Sequence, residues 1–206
     1  MEPRIDYGRR FPEVRTAMWA LEHYVHRSGL DPKLLELVKL RASLINGCAY
    51  CVDMHTRVAR SLGETEQRLY EVSLWREAPF YTERERAALA WTEAVTLVHV
   101  NHVPDDVYEM VRRHFDEKEL VDLTAAVVAI NGWNRFAIAF RTVPGTFQLG
   151  RPAAGDREAY APTLIGQEAI NDHVETSVRS DVAVGRHALP RRAAAAAWCG
   201  QAEAAD

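Results

Sequence analysis

The chain has 206 residues, 48% of them hydrophobic, which is enough to bury one substantial core with an appendage, so one main domain is expected. Its 25 basic and 29 acidic residues leave a formal net charge of -4 and are mixed along the chain, which offers no positive field for nucleic acid or an anionic membrane surface. The polar stretch Met1 to Arg10 lacks the layout of a secretory signal, and the longest apolar candidate, Ala125 to Phe140, is interrupted by Asn131, Gly132, Asn134 and Arg135 before reaching the ~18 residues that spanning a bilayer needs; a cytoplasmic protein with no membrane partner is expected.

A first helix runs from about Pro12 to Arg27. Asp31-Pro32 has the form of an N-cap followed by proline at the first helical position, opening a helix in which Leu34, Leu37, Val38, Arg41, Leu44 and Ile45 recur at three- and four-residue spacing. Asn46-Gly47 breaks that helix and restarts the chain into "CAYCVDMHTRVARSL", which Gly63 ends. A further helix covers Thr65 to Trp75, with Pro79 separating it from the next. Thr82 with Glu85 and Asp116 with Glu119 are capping-box pairs at the heads of two more, and Pro104 suits another start. No period-two stretch reads as a strand. The prediction is an all-α bundle of about six or seven helices over residues 1–145.

The last of these helices is apolar on nearly every side between Leu120 and Ile130, which requires either a central position or burial between subunits. Beyond it the composition changes: six of the eleven glycines and four of the nine prolines fall in the last 63 residues. Residues 146–206 are expected to form an arm or tail with at most a short helix over Thr163 to Val178, carrying Cys199 as an incidental thiol.

The chemistry concentrates in "NGCAYCVDMH", residues 46–55. In a reducing compartment a close cysteine pair reads as redox-active or metal-binding. On a helix, Cys48, Cys51 and His55 share one stripe, and alpha carbons three apart lie roughly 5–5.5 Å from each other, inside the range a disulfide accepts. Reactivity requires thiolate, and a thiol of unperturbed pKa near 8.5 is only about 3% ionised at pH 7. The helix N-terminus favours ionisation of Cys48, whereas His55, one turn on, favours Cys51, so these considerations leave the nucleophile open. Glu36, twelve residues before Cys48, is placed to take or relay a proton if the chain doubles back at Asn46-Gly47. A zinc site needs four ligands, and the stripe supplies three, with Glu36 as the candidate for a fourth. A c-type haem site needs histidine immediately after the second cysteine, where Val52 stands, and a thioredoxin fold needs βαβ units.

Glu36, Cys48-x-x-Cys51 and His55, in the context "KLRASLINGCAYCVDMHTR", "WREAPFYTERERAALAWTEAVT" and "INGWNRFAIAF", resemble the alkyl hydroperoxidase D-like family of the carboxymuconolactone decarboxylase-like superfamily, over roughly residues 10–145. The resemblance implies an all-helical homo-oligomer, a trimer or hexamer, that reduces hydroperoxides with electrons from a dithiol or lipoyl-type donor. It further implies that Cys51 is the peroxidatic thiol, Cys48 the resolving thiol, and Glu36 and His55 a proton relay, with Glu36 acting through a water. No cofactor beyond the redox pair and no metal is expected. Familiar members carry a histidine just before the second cysteine; here the residue is Tyr50, a poor base near neutral pH. A redox sensor using the same disulfide without turnover and a lactone decarboxylase-like enzyme are the alternatives. Trp19, Trp75, Trp91 and Trp133, and the histidines His23, His26, His99 and His102, are expected in packing or surface roles.

Overall fold

The computed structural model describes residues 2–149, in which nine α-helices and one 3-10 turn make up the regular structure, with no strand among the described residues. In chain order they are α1 (Tyr7–Arg10), α2 (Pro12–His26), α3 (Pro32–Asn46), α4 (Ala49–Ser61), α5 (Glu66–Glu71) running into the 3-10 turn Val72–Leu74, α6 (Glu83–Thr96), α7 (Val98–Asn101), α8 (Asp105–Arg112) and α9 (Glu117–Phe140). The all-α class and the long helices are as the sequence predicts. The additional members are the single-turn helices α1 and α7, four residues each, too short for any apolar period to announce them.

Local chemistry sets the boundaries. Asp31 Oδ1 accepts from the Lys33 N–H at 3.0 Å, and Gly47, at φ 69°, ends α3 in the left-handed region that a side chain would strain. Both capping boxes are formed, Thr82 with Glu85 at the head of α6 and Asp116 with Glu119 at the head of α9. Gly63 closes α4, donating to the Arg60 carbonyl at φ 85°.

Helix α3 is the hub. Leu34, Leu35 and Val38 face a core shared with Val25, Trp91, Leu123 and Val127, while Leu37 and Leu40 face a second core with Leu69, Val72, Trp75 and Leu89. Each fully buried aliphatic side chain contributes about 1.5–3 kcal/mol, so a helix buried on two faces is fixed firmly in place. Helix α9 lies against α2, α3 and α6 and buries Leu123, Ala126, Val127, Ala129 and Ile130. By length and composition it is apolar enough to cross a membrane, yet its inner face is the protein core and carries buried Asp122 and Asn134. Central position does not absorb all of its apolar surface: Val121 and Val128, two turns apart on one stripe, stay 62% and 51% exposed. The expected helix at 163–178, Cys199 and nearly all of the expected C-terminal arm lie outside the described residues.

Candidate redox site

The site begins at the turn between α3 and α4. The Cys48 N–H donates to the Ser43 carbonyl at 3.0 Å, and the turn is tied to α9 by side-chain amides. Asn46 Nδ2 donates to Asn131 Oδ1 at 3.0 Å and Asn134 Oδ1 at 2.8 Å, while Asn134 Nδ2 donates to Ser43 Oγ at 3.1 Å. Ser43 and Asn134 are wholly buried, where an unmade hydrogen bond costs about 1–3 kcal/mol, so this ladder fixes where α4 starts relative to α9. Asn131 and Asn134 interrupt the apolar run in the sequence, and the run alone gives no sign of what they hold.

Cys48 is the N-cap of α4, with extended backbone at φ -85° and ψ 92°, rather than a residue of the helix proper. Only Cys51 and His55 therefore share the helical stripe. The two cysteines are nevertheless joined as a disulfide with alpha carbons 5.3 Å apart, and Cys48 Sγ accepts from the Cys51 N–H at 3.4 Å. Both are buried, packed against Ala137 of α9 and half-buried Tyr50. Tyr7 stands nearby, its ring 5.0 Å from that of Phe136; burial first, then Tyr50, push its hydroxyl up to about 12. Tyr50 thus packs beside the cysteine pair, with Tyr7 near it.

One turn after Cys51 on α4 begins a buried line of charge. His55 Nδ1 is 2.8 Å from Glu36 Oε2, with both side chains 4% exposed, so the contact is direct where the sequence reading placed a water. Burial alone raises the Glu36 carboxyl, but His55 and then Lys39 outweigh it and hold the group below its ordinary value. An ionised carboxylate only accepts, so Nδ1 carries a proton, and in the neutral imidazole the lone pair falls on Nε2. Nε2 is buried without a hydrogen-bond partner among the described residues, the condition of a ring nitrogen available as a base.

The line continues through residues that the sequence reading passed over. Lys39 Nζ is 3.8 Å from Glu36 Oε1 and donates to Glu22 Oε1 of α2. Burial lowers the Lys39 ammonium, but Glu22 and Glu36 more than offset it and hold it above its usual range. Glu22 is likewise pushed up by burial and held far down by Lys39 and His26. Trp133 Nε1 of α9 donates to Glu22 Oε2 at 3.2 Å, and His26 Nε2 lies 3.3 Å from Oε1 at the surface end. The available signal was position: Lys39 sits inside the apolar stretch "LLELVKL" and Glu22 three residues before Val25, both on buried stripes.

The remaining candidates fall elsewhere. Trp75 and Trp91 are buried in the cores, donating to Glu93 Oε1 at 2.7 Å and Thr124 Oγ1 at 3.0 Å, and Trp19 stacks near Trp133. His99 and His102 are exposed at the end of α7, where the His102 backbone N–H caps the Val98 carbonyl. Among the described residues no group of three or more His, Cys, Asp or Glu is arranged to hold a metal ion.

A model of the carboxymuconolactone decarboxylase family matches residues 11–94, which include Glu36, Cys48, Cys51 and His55. The uncharacterized protein YdfG of Bacillus subtilis is 45% identical over 139 residues, 68% of this chain and 95% of its own length. A crystal structure of ATU0492 from Agrobacterium tumefaciens, a protein of unknown function described as a candidate antioxidant defence protein AhpD, is 48% identical with a TM-score of 0.69, covering 71% of this chain and all of that one. The debrominase Bmp8 has the same fold at 20% identity and a TM-score of 0.60, covering 66% of this chain and 73% of its own. At that identity only the fold is shared, and a fold by itself assigns no substrate.

Proposed function

The chain belongs to the carboxymuconolactone decarboxylase family, in its alkyl hydroperoxidase D-like branch, and from that premise we propose that it is a thiol-dependent peroxidase working through Cys48 and Cys51. The observation that carries the reading is a buried, closely spaced cysteine pair joined as a disulfide at the start of the helix that carries a carboxylate-bound imidazole.

In the reduced protein His55 Nε2 takes the Cys51 proton, and Glu36 stabilises the resulting imidazolium through Nδ1. The thiolate attacks the terminal peroxide oxygen; the O–O bond breaks, the sulfur becomes a sulfenic acid, and the departing alkoxide takes the proton from His55 to leave as alcohol. Cys48 then attacks the Cys51 sulfur and expels water, closing the disulfide. Its position one residue before α4 makes this step effectively unimolecular. An external dithiol, of lipoyl or similar type, attacks the disulfide and returns both thiols, becoming oxidised itself. Cys51 is the nucleophile because it shares the helical stripe with His55, whereas Cys48 is held at the cap.

Tyr50 does not replace the familiar histidine chemically; it narrows access to the sulfurs, favouring small or apolar hydroperoxides. The exposed Val121 and Val128 on α9 suit a subunit contact, so the working form is a homo-oligomer. Steady-state consumption of a hydroperoxide with excess dithiol tests the proposal. Sustained turnover that disappears in Cys51→Ser supports it; a single stoichiometric oxidation followed by arrest identifies a redox sensor instead.

A further inference from the structure

Lys39 and Glu36 are three residues apart on α3, the spacing at which a lysine and a glutamate pair by default on one helix. They do not close that pair. The ammonium stands 3.8 Å from Glu36 Oε1, beyond a hydrogen bond, and is bonded instead to Glu22 of α2, seventeen residues earlier in the chain. Glu22 is held on its other oxygen by the Trp133 indole of α9, and both Glu22 and Lys39 are buried. Burying such a pair is no cheap route to stability, since a well-packed apolar pair of the same volume is usually as stable or more so. A consequence for Glu36 is what the arrangement provides: with Lys39 drawn away, Glu36 Oε2 stays engaged with His55 Nδ1 at 2.8 Å.

We propose that Glu22 is a positioning residue of the redox site, holding the Lys39 ammonium off Glu36 so that the Glu36 carboxylate remains committed to His55. This rests on the reading of Glu36 and His55 as the proton relay of Cys51. The groups around the ammonium are Glu22 and, beyond it, His26 from α2, Glu36 from α3 itself and, behind Glu36, His55 from α4; α9 contributes the Trp133 indole. Without the Glu22 charge, a buried ammonium cannot stay unpaired. It moves onto Glu36, closing a gap of about 1 Å to reach the length of a charge-assisted hydrogen bond. The carboxylate then shares its charge between two cations, and His55 becomes a weaker base toward Cys51.

The test is the rate of Cys51 alkylation by iodoacetamide against pH in the fully reduced protein, followed by peptide mass, for wild type, Glu36→Gln, Glu22→Gln and the double variant Glu22→Gln/Lys39→Met. Glu22→Gln preserves the shape and an acceptor for Trp133. It is expected to slow alkylation at pH 7 by about 2- to 30-fold and to move the profile to higher pH, as Glu36→Gln does. The double variant has no ammonium to compete for Glu36, so its profile returns to within about 2-fold of wild type. A purely structural role for Glu22 predicts the opposite, with the double variant no better than the single one, and that result overturns the proposal. An unmoved Glu22→Gln profile beside a displaced Glu36→Gln profile overturns it alone and leaves the relay standing. If Glu36→Gln is itself unmoved, the relay fails and the proposal with it. Should Glu22→Gln not fold, Glu22→Asp keeps the charge but shortens its reach, and an unmoved profile in that variant overturns the proposal equally.

Discussion

Replacing Glu36 with glutamine isolates the charge of the relay from its shape. Glutamine keeps an oxygen that accepts from His55 Nδ1 but carries no charge to stabilise an imidazolium. The two side chains are 2.8 Å apart and 4% exposed, so solvent screening removes little of the interaction. A hydrogen bond to a charged group is worth about 1.5–3 kcal/mol and a neutral one about 1, so the loss is about 0.5–2 kcal/mol. At 1.36 kcal/mol per unit, the apparent pKa of Cys51 rises by up to about 1.5 units and its reaction at pH 7 slows by about 2- to 30-fold. The assay is the pH profile of alkylation in reduced protein, with circular dichroism establishing that the variant is folded. A folded Glu36→Gln protein with the wild-type profile would mean that the carboxylate contributes nothing to thiol ionisation, and the relay would fall.

Cys48→Ser should still form a sulfenic acid on Cys51 that dimedone traps, whereas Cys51→Ser should consume no peroxide; trapping at Cys48 in the latter would reverse the assignment. Lys39→Met leaves two buried carboxylates without their ammonium and should cost about 3–5 kcal/mol in urea unfolding, with Glu22→Gln added to it recovering most of the loss. A cost below about 1 kcal/mol would mean the charges are not buried together. Stability should also fall in acid. Glu22 and Glu36 are both held below 4.5 in the folded state, so their contribution is complete above that value and is lost as pH drops through the folded pKa values. A thermal midpoint unchanged between about pH 6 and about pH 3 would contradict it.

The helix plan was legible because its signals are local. Asp31-Pro32, Thr82 with Glu85 and Asp116 with Glu119 each act within one turn, and the structure has a helix start at each. Of the single-turn helices, α7 has no side-chain cap, and α1 has only Asp6, which accepts from the Arg9 N–H ahead of four residues with no apolar period. At the site, Cys48, Cys51, Glu36 and His55 were readable from residue type and spacing, and the structure brings Glu36 and His55 into direct contact. The backbone state of Cys48 was not: a cysteine is a rare N-cap, and nothing in its neighbours distinguishes the cap from the first helical turn. Glu22 and Lys39 were missed for a different reason. Their positions on buried stripes mark them as unusual, but the bond between them joins two helices, and a helical period states which side chains are inside without stating which ones meet. Asn46, Asn131 and Asn134 escaped in the same way.

In the proposed cycle peroxide oxidises Cys51 and Cys48 resolves it. Titrating the reduced protein with one equivalent of an organic hydroperoxide, counting free thiols and mapping the peptides tests it most directly. The expected result is the loss of two thiols per chain, one equivalent of alcohol, and a single cross-linked peptide joining Cys48 to Cys51. Both thiols surviving the peroxide, or a bond formed to any other cysteine, would contradict it.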